Sequence, residues 1–179
     1  MLFRSHRHQF IASGSLQLPF FNGSGGVAEA LLGGWRANVI FIAQAGAPFT
    51  VNLSVDRANI GAGPAQRPNQ LRDPNLPGGE QTPERWFDTS AFALQDPFTF
   101  GSAPRNSVIG PGYANVDFSL AKTWTLPRAS TLEFRWEIFN LLNRANFDLP
   151  NRIFGNPNFG RIFSAKNPRE MQLGVRLAF

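Results

Sequence analysis

Glu133 and Glu137 are the carboxylates whose spacing most invites a chemical reading, since two acids on one face can divide acid and base work. In an extended chain they would stand about 13 Å apart, beyond the ~5–9.5 Å of glycosidase pairs. Arg135 lies between them, so the trio reads as a charge ladder. His6 and His8 are the only imidazoles and Cys is absent, which leaves no convincing Ser/His/Asp set and no thiolate site. Gly23-Ser24-Gly25-Gly26 is glycine-rich but lacks the lysine of a phosphate loop. Trp86-Phe87 could form a stacking platform for a sugar. The expectation is a chain that is not an enzyme and uses no metal or cofactor.

The Glu-Arg-Glu ladder requires a strand, and five segments alternate with the period of one. In Gln9 to Leu18, Phe10, Ala12, Gly14, Leu16 and Leu18 oppose Ile11, Ser13, Ser15 and Gln17. In Gly34 to Ala45, Trp35, Ala37, Val39, Phe41 and Ala43 oppose Arg36, Asn38 and Gln44, and the pattern could run on through Phe49, Val51 and Leu53. Ala114 to Leu126 sets Val116, Phe118, Leu120 and Trp124 against Asn115, Asp117, Ser119 and Thr123. Thr131 to Asn140 sets Leu132, Phe134, Trp136 and Ile138 against the ladder. Met171, Leu173, Val175, Leu177 and Phe179 oppose Gln172, Gly174 and Arg176. These lengths suit transmembrane strands of roughly 9–11 residues better than soluble strands of about 5–6.

Connections alternate in length. Pro127 to Ser130 is short, Pro19 to Gly33 intermediate, Asn143 to Glu170 long, and Asp56 to Tyr113 very long. Outer-membrane barrels place short turns on the periplasmic side and long loops outside. The long stretches, with runs such as Gly61-Ala62-Gly63-Pro64 and Asp73-Pro74-Asn75-Leu76-Pro77-Gly78-Gly79, read as structureless loops. Within them, Thr82-Pro83-Glu84-Arg85-Trp86-Phe87 has the cap and proline of a short helix start.

Composition agrees with strands in lipid. Phe occurs 18 times, Gly 17, Pro 14, and charged residues make up 16% of the chain. A soluble domain carries roughly 25% charge. The net charge of +5 comes from scattered arginines with no basic cluster, so no nucleic-acid partner is expected. Parity places Trp35, Trp124 and Phe179 at one membrane interface, where aromatic girdles sit, and Trp136 deeper. Lys122 falls in the lipid-facing register near the edge, where its amine could reach headgroups. The expected fold is all-β: an antiparallel transmembrane β-barrel segment of about five long strands with long extracellular loops. Five strands cannot close a barrel whose smallest bacterial form has about 8, so a fragment is expected. Met1 to His8 lacks the features of a signal peptide, so the start of the protein is expected to lie upstream.

Met171-Gln172-Leu173-Gly174-Val175-Arg176-Leu177-Ala178-Phe179 resembles the outer-membrane assembly signal, an alternating strand ending in Phe. Phe139-Asn140-Leu141-Leu142-Asn143, followed by Ala145-Asn146-Phe147, is similar to the Phe-Asn-Leu-Leu-Asn segment near the end of TonB-dependent receptors. Leu32-Gly33-Gly34-Trp35, Ala43-Gln44-Ala45-Gly46-Ala47-Pro48-Phe49, Arg85-Trp86-Phe87-Asp88-Thr89-Ser90-Ala91-Phe92 and Asn156-Pro157-Asn158-Phe159-Gly160-Arg161-Ile162 resemble the Oar-like branch, which bears a carboxypeptidase regulatory domain. The resemblance implies the last strands of a 22-stranded barrel in the cell outer membrane of a Gram-negative bacterium, with a role in uptake of a bulky nutrient. It implies lipid, the missing strands and the barrel-assembly machinery as partners, and the TonB complex only through an N-terminal plug that this chain lacks. The alternative expectation is a secreted all-β carbohydrate-binding or adhesin-like module.

Overall fold

The computed structural model describes residues 7–23, 25–61 and 66–179. The readings at His6, Ser24 and Ala62-Gly63-Pro64 fall outside the described residues. In chain order the strands are β1 (Gln9–Gln17), β2 (Arg36–Gln44), β3 (Pro48–Phe49), β4 (Asn52–Leu53), β5 (Asn69–Gln70), β6 (Phe92–Ala93), β7 (Val108–Ile109), β8 (Tyr113–Thr125), β9 (Thr131–Phe139), β10 (Ile153–Phe154) and β11 (Glu170–Ala178). The α-helix α1 (Gly26–Leu32) lies between β1 and β2. No helix among the described residues is long and apolar enough to cross a membrane, which says nothing of strands.

The five long strands make one antiparallel sheet in the order β1-β2-β8-β9-β11, with β1 and β11 at its edges. Their bounds lie within two residues of the alternating segments, because period-two patterning is a local property. β8, at 13 residues, extends roughly 44 Å, enough to cross a ~30 Å hydrocarbon core at a tilt of about 45°. The chain divides into two compact units. One holds Gln9–Ala43, Ala114–Ala145 and Asn167–Phe179, and the other is built chiefly of Gln44–Tyr113 and Asn146–Lys166.

The second unit overturns the expectation of structureless loops. Its two chain segments join through β4 and β10, which pair in parallel at Asn52–Ile153 and Leu53–Phe154. Antiparallel pairs β3–β7 and β5–β6 fold the longer segment on itself. A core of Phe49, Val51, Phe87, Ala91, Phe92, Ala103 and Val108 fills it, with Trp86, Phe154 and Phe159 packed alongside. Rings meet edge-on around Phe87, at 5.8 Å from Phe49, 6.1 Å from Phe92 and 5.1 Å from Phe159. Edge-to-face pairs of this kind add about 0.5–1.5 kcal/mol each beyond area burial. Gly46 is fixed by contact: a side chain there would meet the Gly110 carbonyl oxygen at 1.9 Å.

Two further expectations change here. Phe49, Val51 and Leu53 do not extend β2, which ends at Gln44; they are buried within the second unit. Thr82 to Phe87 forms no helix. Thr82 and Arg85 exchange backbone hydrogen bonds of 3.0 and 3.1 Å, and Trp86 N–H, the donor of a first intrahelical bond to Thr82 O, goes to Gly160 O at 3.0 Å instead. The nearby 3-10 turn is Thr89–Ala91, capped by the Asp88 carboxylate.

Asp88 is the charged centre of this unit. Its carboxylate accepts from the Ser90 N–H at 3.1 Å and the Ser90 hydroxyl at 2.6 Å. Arg72 donates to it through Nε at 2.9 Å and Nη2 at 2.6 Å. Ser90 chiefly, and Arg72 with it, hold the carboxyl below the usual carboxylate range against the opposing push of burial. Hydrogen bonds also lower Asp73, through Asn75, and Asp148, through Lys166 and Ser164. Depressed folded-state pKa values mean stabilisation that is complete above about pH 4 and is lost as pH falls through the folded values. The second unit is therefore expected to lose its near-UV circular dichroism on acidification from pH 5 to pH 2, and Asp88→Asn to lower its neutral-pH stability while flattening that acid response. An unchanged acid profile in Asp88→Asn would show that Asp88 does not contribute.

Candidate functional site

The sheet's two faces follow from register. β8, β9 and β11 align Phe118 with Ile138 and Met171, Leu120 with Trp136 and Leu173, and Trp124 with Leu132 and Leu177. Lys122, Phe134 and Val175 complete the same face. One residue along, Ser119, Glu137 and Gln172 align, as do Thr123, Glu133 and Arg176. A one-residue slip in any strand would mix the faces, so side-chain partition fixes the register. On β2, Asn38 donates to the Ser119 hydroxyl at 3.0 Å, which continues the polar face.

The ladder on the polar face is closed internally. Arg135 Nη2 donates to Glu133 at 2.6 Å and Nη1 approaches Glu137 at 3.7 Å. Glu137 also accepts from the Gln172 amide of β11. An open groove of about 410 Å³ runs along this edge, with Glu133, Arg135, Glu137, Gln172 and Arg176 on its wall. Each carboxylate thus has a cationic or amide partner, and the groove presents paired charges to whatever fills it. Among the described residues no group of three or more His, Cys, Asp or Glu could hold a metal.

Trp35 and Trp124, expected at one interface, meet edge-on with ring centroids 6.3 Å apart, and Trp35 also meets Phe134 at 5.9 Å. Phe179 follows the end of β11, at the strand end that carries Leu132 and Trp124. It is fully exposed and touches neither Trp. Trp136 lies further along, opposite Leu120 and Leu173. Lys122 departs from expectation. Its amine does not extend towards headgroups; it sits between the two indoles, 5.9 and 5.1 Å from their centroids, and donates to the Glu29 and Gly33 carbonyls at the end of α1. The carbonyls and negative dipole end of the helix supply the counter-charge that lipid cannot.

The segment Phe139, Asn140, Leu141, Leu142 and Asn143 forms a turn that ends β9 and holds two neighbouring segments. Asn140 (φ +52°) and Asn143 (φ +50°) take the left-handed backbone that Asn tolerates better than most residues. The Asn140 amide donates to Arg144 O at 3.0 Å and Asn167 O at 3.3 Å, and its side-chain oxygen accepts from Arg144 N at 3.0 Å. Its backbone N–H reaches the Asp117 carboxylate at 2.9 Å, while Leu141 N–H donates to Val116 O at 2.7 Å. Asn143 Oδ1 accepts from Arg169 N at 3.0 Å, just ahead of β11. Leu142 points outward. The turn is a structural clamp.

Of the other residues singled out, Met171, Leu173, Val175 and Leu177 lie exposed along the edge strand β11, whose outer backbone edge is unpaired in this sheet. The stacking platform does not form: Phe87 is 0% exposed, and Trp86 is half-buried with its indole N–H donated to Ile109 O at 2.9 Å. Pattern reading also missed α1, since its glycine-rich approach reads as a turn. The hint was the apolar run Val27-Ala28-Glu29-Ala30-Leu31-Leu32 behind those glycines.

A family model described as an outer membrane beta barrel domain matches residues 4–172. No curated protein and no solved structure matches the chain.

Proposed function

The chain belongs to the outer membrane beta barrel domain family, and from that premise we propose that it forms part of the barrel of a TonB-dependent receptor of the Oar-like branch, in the outer membrane of a Gram-negative bacterium. The observation that carries the reading is the register: one face is apolar across three paired strands while the other bears a closed Glu-Arg-Glu ladder. Lipid requires the first face and a water-filled or protein-filled lumen suits the second. β1 and β11 leave open edges, so further strands of the same barrel complete the wall. The long connections β2–β8 and β9–β11 leave the same end of the sheet, as the long loops of outer-membrane barrels do, and fold into one packed unit of their own. The finer identity rests on the Phe139–Asn143 turn and on phrases that build the second unit, as where Trp86 N–H donates to Gly160 O at 3.0 Å.

Neighbouring substitutions on β11 test the faces. Leu173→Arg puts a charge on the lipid side and is expected to cost about 2–4 kcal/mol near mid-membrane, with loss of heat-modifiable gel mobility. Gly174→Ser, on the lumen side where a side chain meets nothing within 4 Å, should stay within about 0.5 kcal/mol of wild type. The reverse ranking would invert the faces. The receptor role is tested by uptake: accumulation of a bulky nutrient should fail when the gene is deleted and when the proton-motive force is collapsed. Accumulation that survives both would leave an adhesin-like barrel.

A further inference from the structure

α1 has seven residues, none of them buried. Isolated helices shorter than about 12–15 residues are marginal in water, so this one needs outside support. Three side chains from the apolar face of the sheet supply it. Glu29 O accepts from Lys122 Nζ at 3.2 Å as well as from Gly33 N–H at 2.9 Å. Leu31 O accepts from the Trp35 indole at 3.0 Å, and Ala30 O from the Trp124 indole. The helix end is thus tied to the membrane-facing side of β2 and β8, at the strand ends that carry Trp35, Trp124, Leu132 and Leu177.

What the helix and its approach show outward is apolar. Val27 is 74% exposed, and Leu31, Leu32, Phe20 and Phe21 are exposed with it. From Leu18 to Gly34 there is no Lys or Arg, and Glu29 is the only acid. Its carboxylate turns back on the start of its own helix and accepts from Gly25 N–H at 2.9 Å. Among the described residues the outward side chains of α1 are therefore apolar.

We propose that α1 is an interfacial helix: it lies in the headgroup–acyl boundary of the leaflet at this end of the strands, with Val27, Leu31 and Leu32 in lipid and its C-terminal carbonyls tethered by Lys122, Trp124 and Trp35. The inference rests on the apolar sheet face being lipid-facing, and it extends that face past the strand ends. Helices that lie in this boundary enter it by about 5–10 Å. With so little charge on the turn, apolar insertion rather than attraction to anionic headgroups sets the depth.

The chain contains no Cys, so Val27→Cys and Leu173→Cys each give one labelling site in this chain. Each carries an environment-sensitive fluorophore in phosphatidylethanolamine–phosphatidylglycerol vesicles, with nitroxide lipids as shallow or deep quenchers and iodide as the aqueous one. The label at residue 27 should be quenched about threefold more by shallow than by deep nitroxides and be shielded from iodide, as boundary depth requires. The label at 173 should respond most to deep nitroxides. Iodide access at 27 with lipid quenching at 173 overturns the helix proposal alone; iodide access at both overturns the lipid-facing reading beneath it. Shielding from both quenchers at 27 would mean a protein covers the helix and would also overturn the proposal. In Lys122→Met, the label at 27 should become accessible to iodide while that at 173 stays in lipid. Unchanged shielding at 27 in that variant would remove Lys122 as a tether.

Discussion

Asn140→Ala is expected to lower the unfolding free energy of the sheet by about 3–5 kcal/mol, read as a shift of the urea midpoint without a change in slope. The side chain is buried and makes three hydrogen bonds, two to the carbonyls of Arg144 and Asn167 and one from the Arg144 N–H. Alanine removes all three bonds and places a Cβ at φ +52° without the local hydrogen bonds that let Asn hold that backbone. Asn140→Gly separates the two costs, because glycine relieves the backbone strain and still loses the bonds. It should therefore fall between wild type and Asn140→Ala, by about 1 kcal/mol from the latter. If both variants unfolded like wild type, the turn would not be the clamp its geometry describes. Since the turn connects β9 to Asp117 of β8 and to Asn167 ahead of β11, the loss should appear across three strands rather than at one loop.

Phe87→Ala is expected to unfold the second unit while leaving the strands intact. Phe87 has no exposed surface and contacts the rings of Phe49, Phe92 and Phe159, so truncation removes the centre of the core. Phe→Ala changes in such settings cost about 3–5 kcal/mol, a large share of what a unit this small can hold in reserve. Trypsin should then cut rapidly after Arg72 and Arg85, which the wild-type unit holds at Asp88. Heat-modifiable gel mobility, which reports the strands, should persist. Cleavage together with lost heat modification would show that the strands depend on this unit for their own stability. Resistance to trypsin in Phe87→Ala would show that the ring cluster does not hold the unit together.

Alternation along the chain was enough to specify the sheet. A strand exposes alternate faces to two different surroundings, and where one is apolar the chemistry repeats every second residue, so Phe118, Leu120 and Trp124, or Leu132, Phe134 and Trp136, declare their face without reference to any partner. The alternation runs out at Asn140, where the Phe139–Asn143 turn ends β9. The rest depended on packing between distant segments. Phe49, Val51, Phe87, Phe92 and Phe159 have no common period; they become a core only because segments far apart in the chain pack on one another, and Pro- and Gly-rich spacing between them reads locally as loop. α1 is the sharper case. Its glycine-led start and short length argue against a helix, and the donors that complete its carbonyls come from Lys122 and Trp124, some 90 residues later. Periodicity records what a residue faces, while a hydrogen bond or ring contact closed across the fold leaves no local trace in either partner's sequence.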